Sequence, residues 1–176
     1  RRKLPVFIHP FVPKCCRGLV NGVQDYVVEF DFDTTRAVTS LLYNGVLSKC
    51  PDMKLIVNHS GAALPVLSGR IKDRVPGDES RDHRDTPRQG ISANTPKGVF
   101  YELKRLYYEC AHATYPVSFA ALTKFVEPSQ ILFGTDYSAE PMESTTRELE
   151  AQKLSPQLLR MIERSNAEKL IPRFNV

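Results

Sequence analysis

Short apolar runs alternate with longer segments of helical spacing along the chain. Three of these runs lead to a polar side chain: PVFIHP reaches His9, KLIVNH reaches His59, and QILFGTD reaches Asp136. A fourth run, LYYECA, is rich in aromatic residues and also predicts a strand. Short apolar strands that alternate with helices are typical of a parallel sheet covered by helices.

Two helices are predicted between the first three strands. DTTRAVTSLLYNGVLSKCP has Asp33 or Thr34 as a candidate N-cap and Pro51 as a stop. TPKGVFYELKRL has Thr95 as a candidate N-cap and Pro96 at the first helical position. The first of these helices also has apolar residues at helical spacing, namely Val38, Leu41, Leu42 and Val46.

Two further helical segments complete the pattern. PVSFAALTKFV predicts a helix closed by Pro128. SPQLLRMIERSNAEKLIP opens on Ser155 as N-cap and Pro156, and predicts one or two helices at the end of the chain.

The segment 70–97 interrupts this alternation. RIKDRVPGDESRDHRDTPRQGISANTPK is charged, contains several prolines and has almost no apolar residues, so it predicts a long loop. It follows the strand that leads to His59, which is consistent both with a lid over a site and with a solvated excursion. His83, in its middle, is interpreted as a surface histidine.

Composition places the chain among ordinary globular domains. Its 176 residues are 41% hydrophobic and 25% charged, enough for one domain with a core. The net charge of +4 is scattered among acidic residues, so no basic face for nucleic acid is predicted. No apolar run is long enough to span a membrane, and RRKLPVFIHP does not have the pattern of a signal peptide.

The four cysteines, Cys15, Cys16, Cys50 and Cys110, do not form a zinc-ribbon pattern. The adjacent Cys15 and Cys16 are interpreted as two reduced thiols. With no secretion signal, a cytoplasmic location is expected.

His9, His59 and Asp136 are the candidate functional residues. Parallel strands present function at their carboxyl ends, where these three side chains are expected to meet. Histidine and carboxylate are ligands for zinc and related metals, and a histidine without metal can act as a general acid or base. Asp136 could instead cap the next helix, and His112, just past LYYECA, ranks below the other three residues.

These motifs resemble the amidohydrolase superfamily, in its branch of metal-dependent aromatic-acid decarboxylases. The resemblance is greatest to 6-methylsalicylate decarboxylases and their aminocarboxymuconate-semialdehyde and resorcylate relatives. It rests on VFIHP, KLIVNHSGAALPVLSGRI, PKGVFYELKRLYYECA, QILFGTDYS and NAEKLIPRF, and it covers nearly the whole chain.

The resemblance implies an α/β fold of the (β/α)8 TIM-barrel type, of which residues 1–176 would be the C-terminal half, strands five to eight with their helices. It implies that His9 is a metal ligand, that His59 is the acid/base residue, and that Asp136 binds the metal or its water and acts in catalysis. The cofactor would be a divalent metal, with Zn²⁺ expected and Mn²⁺ as the alternative.

The sequence departs from this family at one motif. The family has an HxH pair on its first strand that supplies two metal ligands, and HxH does not occur here. His9 and Asp136 alone would make a poor zinc site, because catalytic zinc usually has three protein ligands. A half barrel would also have two open sheet edges. A fragment, a site completed by a partner, and a product that has lost its activity are all consistent with this pattern.

The function implied is decarboxylation of an ortho-hydroxy aromatic acid similar to 6-methylsalicylate, giving the phenol and CO₂. The alternatives are a metal-dependent hydrolase of the same superfamily and an inactive truncated protein. The expected ligand is a small aromatic carboxylic acid, without nucleic acid or membrane, and a homodimer is possible.

Overall fold

Four parallel strands form a sheet whose order follows the chain. In the computed structural model, which describes residues 4–73 and 91–174, these strands are β1 (Val6–Ile8), β2 (Leu55–Val57), β3 (Tyr107–Glu109) and β4 (Ile131–Leu132). The neighbours pair in parallel as β1-β2-β3-β4. The predicted parallel α/β arrangement is therefore confirmed.

Helices lie between successive strands and after the last one. In chain order they are α1 (Tyr26–Tyr43), α2 (Val46–Lys49), α3 (Leu64–Asp73), α4 (Ile91–Asn94), α5 (Val99–Lys104), α6 (Pro116–Phe125), α7 (Met142–Ala151), α8 (Pro156–Arg160) and α9 (Asn166–Leu170). A π-helical segment, Met161–Ser165, joins α8 to α9. None of the helices in the described part of the chain is long and apolar enough to cross a membrane.

The two faces of the sheet are buried by different partners. Leu55 and Val57 of β2 belong to the large core under the helices, whereas Ile56 between them packs with Leu132 and Leu170 on the opposite face. This alternation is the period of two that a strand imposes on its side chains. Burying one such aliphatic side chain contributes about 1.5–3 kcal/mol, so the sheet is stabilised from both sides.

The outer strands are paired on one side only within the described ranges. β1 pairs only with β2, and β4 pairs only with β3. On β1, Val6 and Phe7 are 45% and 53% exposed, although both are large apolar residues. The expectation of two open sheet edges is confirmed, and an edge of this kind is suited to pairing with further strands.

Helix α1 begins earlier than predicted. It begins at Tyr26, so Asp33 and Thr34 lie inside it and the prediction that either caps it is wrong. Asp33 instead accepts a hydrogen bond from the backbone N–H of Phe11, and the Thr34 hydroxyl donates to Asn58 Oδ1 at 2.8 Å. These side chains join α1 to the segments that follow β1 and β2.

The C-terminal end of α1 also differs from the prediction. The helix ends at Tyr43, and Gly45, with φ of 71°, separates it from α2. Pro51 lies beyond α2 and is not the residue that stops α1. A left-handed residue of this kind is a common helix terminator, and glycine adopts it without steric cost.

Three other helix boundaries were predicted from caps and prolines. The prediction that Ser155 is the N-cap of α8 is confirmed, because its hydroxyl oxygen accepts a hydrogen bond from the backbone N–H of Leu158 at 3.3 Å. Thr95 is wrong as an N-cap: its carbonyl accepts the N–H of Gly98 in a turn, and α5 begins only at Val99. Helix α6 ends at Phe125, shortly before Pro128.

The predicted loop 70–97 is wrong at both ends. Residues 70–73 form the last turn of α3, and Ile91–Asn94 form α4. The sequence feature that indicates α3 is the helical spacing of Leu64, Leu67 and Ile71, of which Leu64 and Ile71 are buried. Residues 74–90, including His83, lie outside the described residues. The sequence analysis also did not predict helix α7.

All four cysteines are free thiols, and Cys15 and Cys16 lie with their sulfur atoms 2.7 Å apart. This separation is longer than a disulfide bond, which measures about 2.05 Å, and the reduced state of the two thiols stays a prediction. Burial raises the pKa of the Cys110 thiol to about 12, which keeps it protonated in the core.

Gly61 provides a test of how tightly the sheet packs against the turn after β2. Its φ is 78°, and an added Cβ would lie 2.6 Å from the ring of the fully buried Tyr108. We expect Gly61→Ala to lower the free energy of unfolding by about 2–4 kcal/mol, from left-handed strain and overpacking together. Urea unfolding measures the change.

The matched control is Gly69→Ala, inside α3. A Cβ at Gly69 meets no atom within 4 Å and φ is ordinary, so alanine should be neutral or stabilise by up to about 1 kcal/mol. Equal losses in the two variants would contradict the proposed packing.

Candidate active site and metal centre

The three residues predicted from strand ends meet at the end of the sheet where the strands have their carboxyl termini. His9 follows β1 directly, His59 lies in the turn after β2, and Asp136 lies beyond β4. One ligand atom from each comes within 4.8 Å of the other two. His9 Nε2 lies 3.3 Å from Asp136 Oδ1, and His59 Nε2 lies 3.8 Å from Asp136 Oδ2.

The two ring nitrogens of His9 have different neighbours. His9 Nδ1 lies 3.2 Å from the carbonyl oxygen of Pro10, which can only accept, so Nδ1 carries a proton. His9 Nε2 lies 3.3 Å from Asp136 Oδ1, the distance of an ion pair. Metal binding releases protons from its ligands, so a divalent ion could take the place of a proton between these two atoms.

His59 adds a third candidate ligand atom. Its side chain is only 8% exposed, yet Nε2 has no hydrogen-bond partner within the described ranges. The adjacent Asn58 Nδ2 and Ser60 Oγ are also buried without a partner there. Buried polar atoms are usually satisfied, and of these three residues only His59 lines the cavity and belongs to the cluster with His9 and Asp136. Two imidazoles and a carboxylate are donors that fit a divalent metal.

Unusual backbone conformations accompany the site. His59, His112 and Asp136 have φ of 47°, 54° and 57°, and all three are in the left-handed region. Residues other than glycine enter this region rarely, although histidine and aspartate do so more often than most. Such strain costs about 1–3 kcal/mol per residue and is concentrated at functional sites.

Glu109, the last residue of β3, fixes the turn that carries His59. Its Oε1 accepts the backbone N–H of His59 and its Oε2 accepts that of Ala111, each at 2.8 Å. Burial raises the pKa of Glu109, and the two N–H groups oppose this. A Cβ at Gly134 would lie 2.0 Å from Oε2, so the glycine of FGTD provides the space that the carboxylate occupies.

Asp31 on α1 faces the other nitrogen of His59. Its Oδ1 lies 3.7 Å from His59 Nδ1, which is too long for a hydrogen bond and is an ion-pair distance. Burial opposes the charged imidazole, but the carboxylates of Asp31, Glu109 and Asp136 outweigh it and raise the pKa of His59. The two ring nitrogens of His59 therefore face different carboxylates.

His112 lies closer to the centre than its lower rank in the sequence analysis suggested. Its Nε2 is 3.1 Å from Asp136 Oδ2, and its ring contacts that of His59 edge to face at 5.4 Å. Asp136 is thus approached by three imidazoles. Its side chain does not cap a helix: α7 has Pro141 at its N-cap position and no side-chain cap.

Sequence reasoning missed Asp31 and Glu109. Glu109 could have been found from the sequence, because it is a charged residue at the end of an apolar strand. His59 and Asp136 were predicted from the same pattern. Asp31 had none, because the helix that contains it was predicted to begin two residues later and the contact with His59 is tertiary.

A cavity of about 640 Å³ opens beside these residues. Tyr26, Val27 and Phe30 of α1 form an apolar wall, and His59 and Asp136 lie on the polar side. Phe30 also contacts the His9 ring edge to face at 5.9 Å. Ligand sites of this size typically combine an apolar wall with a few polar groups, and a monocyclic aromatic molecule would fit.

Comparison with known proteins gives a consistent picture. The family model described as Amidohydrolase matches residues 1–173. The chain is 29% identical over 178 aligned positions to 6-methylsalicylic acid decarboxylase of Penicillium expansum, covering 99% of this chain and 52% of that protein. The chain therefore spans about half the length of the curated relatives that it matches.

Solved structures agree on the fold. The chain resembles the 5-carboxyvanillate decarboxylase of Sphingomonas paucimobilis with a TM-score of 0.75 at 14% identity, over 97% of this chain and 50% of that one. It resembles the dihydroxybenzoic acid decarboxylase of Polaromonas sp. JS666, solved with manganese and the inhibitor 2-nitroresorcinol, with a TM-score of 0.74 at 18% identity, over 99% and 51%. These neighbours are barrels of which the chain covers about half, which confirms the expected partial TIM barrel.

Glu109 gives the testable consequence of this geometry. Glu109→Gln retains one acceptor oxygen but places an amide NH₂ group beside a backbone N–H that needs an acceptor. We expect a loss of about 1–3 kcal/mol in the free energy of unfolding, measured by urea titration. The matched control is Glu150→Gln, an exposed residue of α7, which should change stability by less than about 0.5 kcal/mol. A Glu109→Gln protein as stable as the control would contradict the role assigned to this carboxylate.

Proposed function

Because the chain belongs to the amidohydrolase family, we propose that it forms part of a metal-dependent carboxy-lyase that releases CO₂ from an ortho-hydroxy aromatic acid. The observation that carries this proposal is the convergence of His9, His59 and Asp136, whose ligand atoms lie within 4.8 Å of one another, beside a cavity with an aromatic wall. The names of the similar proteins support the reaction class.

His9 and Asp136 would hold the divalent ion. Zn²⁺ is the expected ion for histidine and carboxylate donors, and Mn²⁺ is the alternative suggested by the Polaromonas structure. When bound, the ion would supply positive charge to the carboxylate and phenol oxygens of the substrate and stabilise negative charge that develops there. No lysine or arginine lines the cavity in the described part of the chain, so a substrate carboxylate would need this charge.

His59 would deliver a proton from Nε2, the nitrogen that faces the centre, to the ring carbon that bears the carboxylate. The carbon–carbon bond then breaks, CO₂ leaves, and the bonding electrons return to the aromatic ring. Asp31 faces Nδ1 at 3.7 Å and would hold the imidazole in this orientation. Tyr26 and Phe30 would bind the substrate ring against the apolar wall.

The unpaired edge of β1 suggests that the described residues are only part of the proposed site. Val6 and Phe7 are exposed on an unpaired strand, and the similar solved chains are about twice as long. We infer that further strands of the barrel, from the same polypeptide or from a second chain, cover this edge and contribute further ligands.

Metal content tests the proposed centre. We expect the purified protein to carry close to one zinc or manganese per chain, and His9→Ala and Asp136→Ala to lose most of it, as measured by elemental mass spectrometry. Thr123→Ala, a change on α6 away from the centre, is the control and should retain the metal. A metal-free wild type, reconstituted with neither ion, would refute the centre.

The role of His59 requires a separate variant. We expect His59→Ala to lower turnover at least 100-fold while lowering metal content much less, because general acid–base catalysis contributes about 10²–10⁴-fold. Equal loss of metal and turnover would instead make His59 the third ligand, a role that its unpaired Nε2 also allows.

Product analysis separates decarboxylation from hydrolysis on the same scaffold. Incubation with 6-methylsalicylate or with 2,6-dihydroxybenzoate should release CO₂ and the corresponding phenol in equal amounts. Gas detection measures the CO₂, and chromatography measures the phenol. Acid formed from an ester, lactone or amide, without CO₂ from either aromatic acid, would favour the hydrolase alternative.

A further inference from the structure

We propose that His112 is a positioning residue that holds Asp136 in the orientation of a metal ligand. The inference rests on the proposed metal centre and assigns the partner of its carboxylate ligand, Asp136. His112 comes from the segment after β3, so it would couple the remaining strand of the sheet to a centre that β1, β2 and β4 already supply.

The two oxygens of Asp136 have different neighbours. Oδ1 lies 3.3 Å from Nε2 of the proposed ligand His9. Oδ2 lies 3.1 Å from His112 Nε2. An ionised carboxylate can only accept, so His112 Nε2 must carry a proton and donate it. Oδ1 then remains available to the ion.

His112 is not itself a ligand in this arrangement. A protonated Nε2 has no lone pair, and the group of ligand atoms within 4.8 Å of one another consists of His9, His59 and Asp136. Ligating carboxylates are commonly held by hydrogen bonds from the next layer of residues, whose loss typically costs about 10–100-fold in metal affinity.

The backbone around His112 fixes it for this task. Ala111, directly before it, donates its N–H to Glu109 Oε2 at 2.8 Å, and His112 itself has φ of 54°. The ring lies edge to face on that of His59, with an interplanar angle of 86°. Glu109 therefore anchors both the turn of His59 and the segment that presents His112.

Manganese titration of matched variants tests the proposal. His112→Leu removes the hydrogen-bond donor to Asp136, while His112→Gln places an amide N–H at similar reach. Both replacement residues would occupy the same left-handed backbone position as His112. Binding of MnCl₂ is followed by the spin-resonance signal of the free ion. We expect Leu to weaken binding about 10–100-fold and Gln to recover most of it.

Val117→Ala is the control, since it shortens an exposed side chain of α6, the helix that follows the same loop. Circular dichroism spectra confirm that each variant is folded. Wild-type affinity in His112→Leu, or equal weakening in the Leu and Gln variants, would overturn the positioning role. A wild type that binds no manganese or zinc would instead remove the proposed centre, and the inference with it.

The proton on His112 gives a second readout that needs no metal. Nitrogen-15 spectra of the imidazoles, assigned by comparison with His112→Gln, should show His112 protonated on Nε2. This pattern should change in Asp136→Ala, in which the acceptor is missing. A His112 ring protonated only on Nδ1 would overturn the proposal even if the protein binds metal.

Discussion

The carboxylate of Glu109 is the contact on which the geometry of the site depends. It lies at the end of β3 and accepts two backbone N–H groups, one from the turn after β2 and one from the segment after β3. Each of these segments carries a histidine in a left-handed conformation. A buried carboxylate with two short hydrogen bonds is a strong restraint, since hydrogen bonds to a charged group contribute about 1.5–3 kcal/mol each.

This restraint explains why strained residues persist around Asp136. His59, His112 and Asp136 would each relax toward ordinary backbone conformations if the surrounding structure allowed it. The surroundings prevent this: the Tyr108 ring packs on Gly61, and Glu109 fills the space beside Gly134. The two glycines of NHSG and FGTD therefore serve packing around the site, where any larger side chain would collide with a buried neighbour.

The site combines rigid polar atoms with an apolar wall from a single helix. α1 places Tyr26 and Phe30 on the cavity and Asp31 beside His59. Asp33 and Thr34 of the same helix hold the segments after β1 and β2. One helix thus sets both the shape of the cavity and the position of two strand ends.

The sequence alone determined the parallel α/β arrangement, the place of the site at the carboxyl ends of the strands, and the choice of His9, His59 and Asp136. These follow from local periodicity and from the rule that parallel strands end at one edge. Only the tertiary structure decided that Glu109 fixes His59 and that His112 reaches Asp136. These contacts join residues 50 and 24 positions apart in the chain, and no local pattern encodes such a contact.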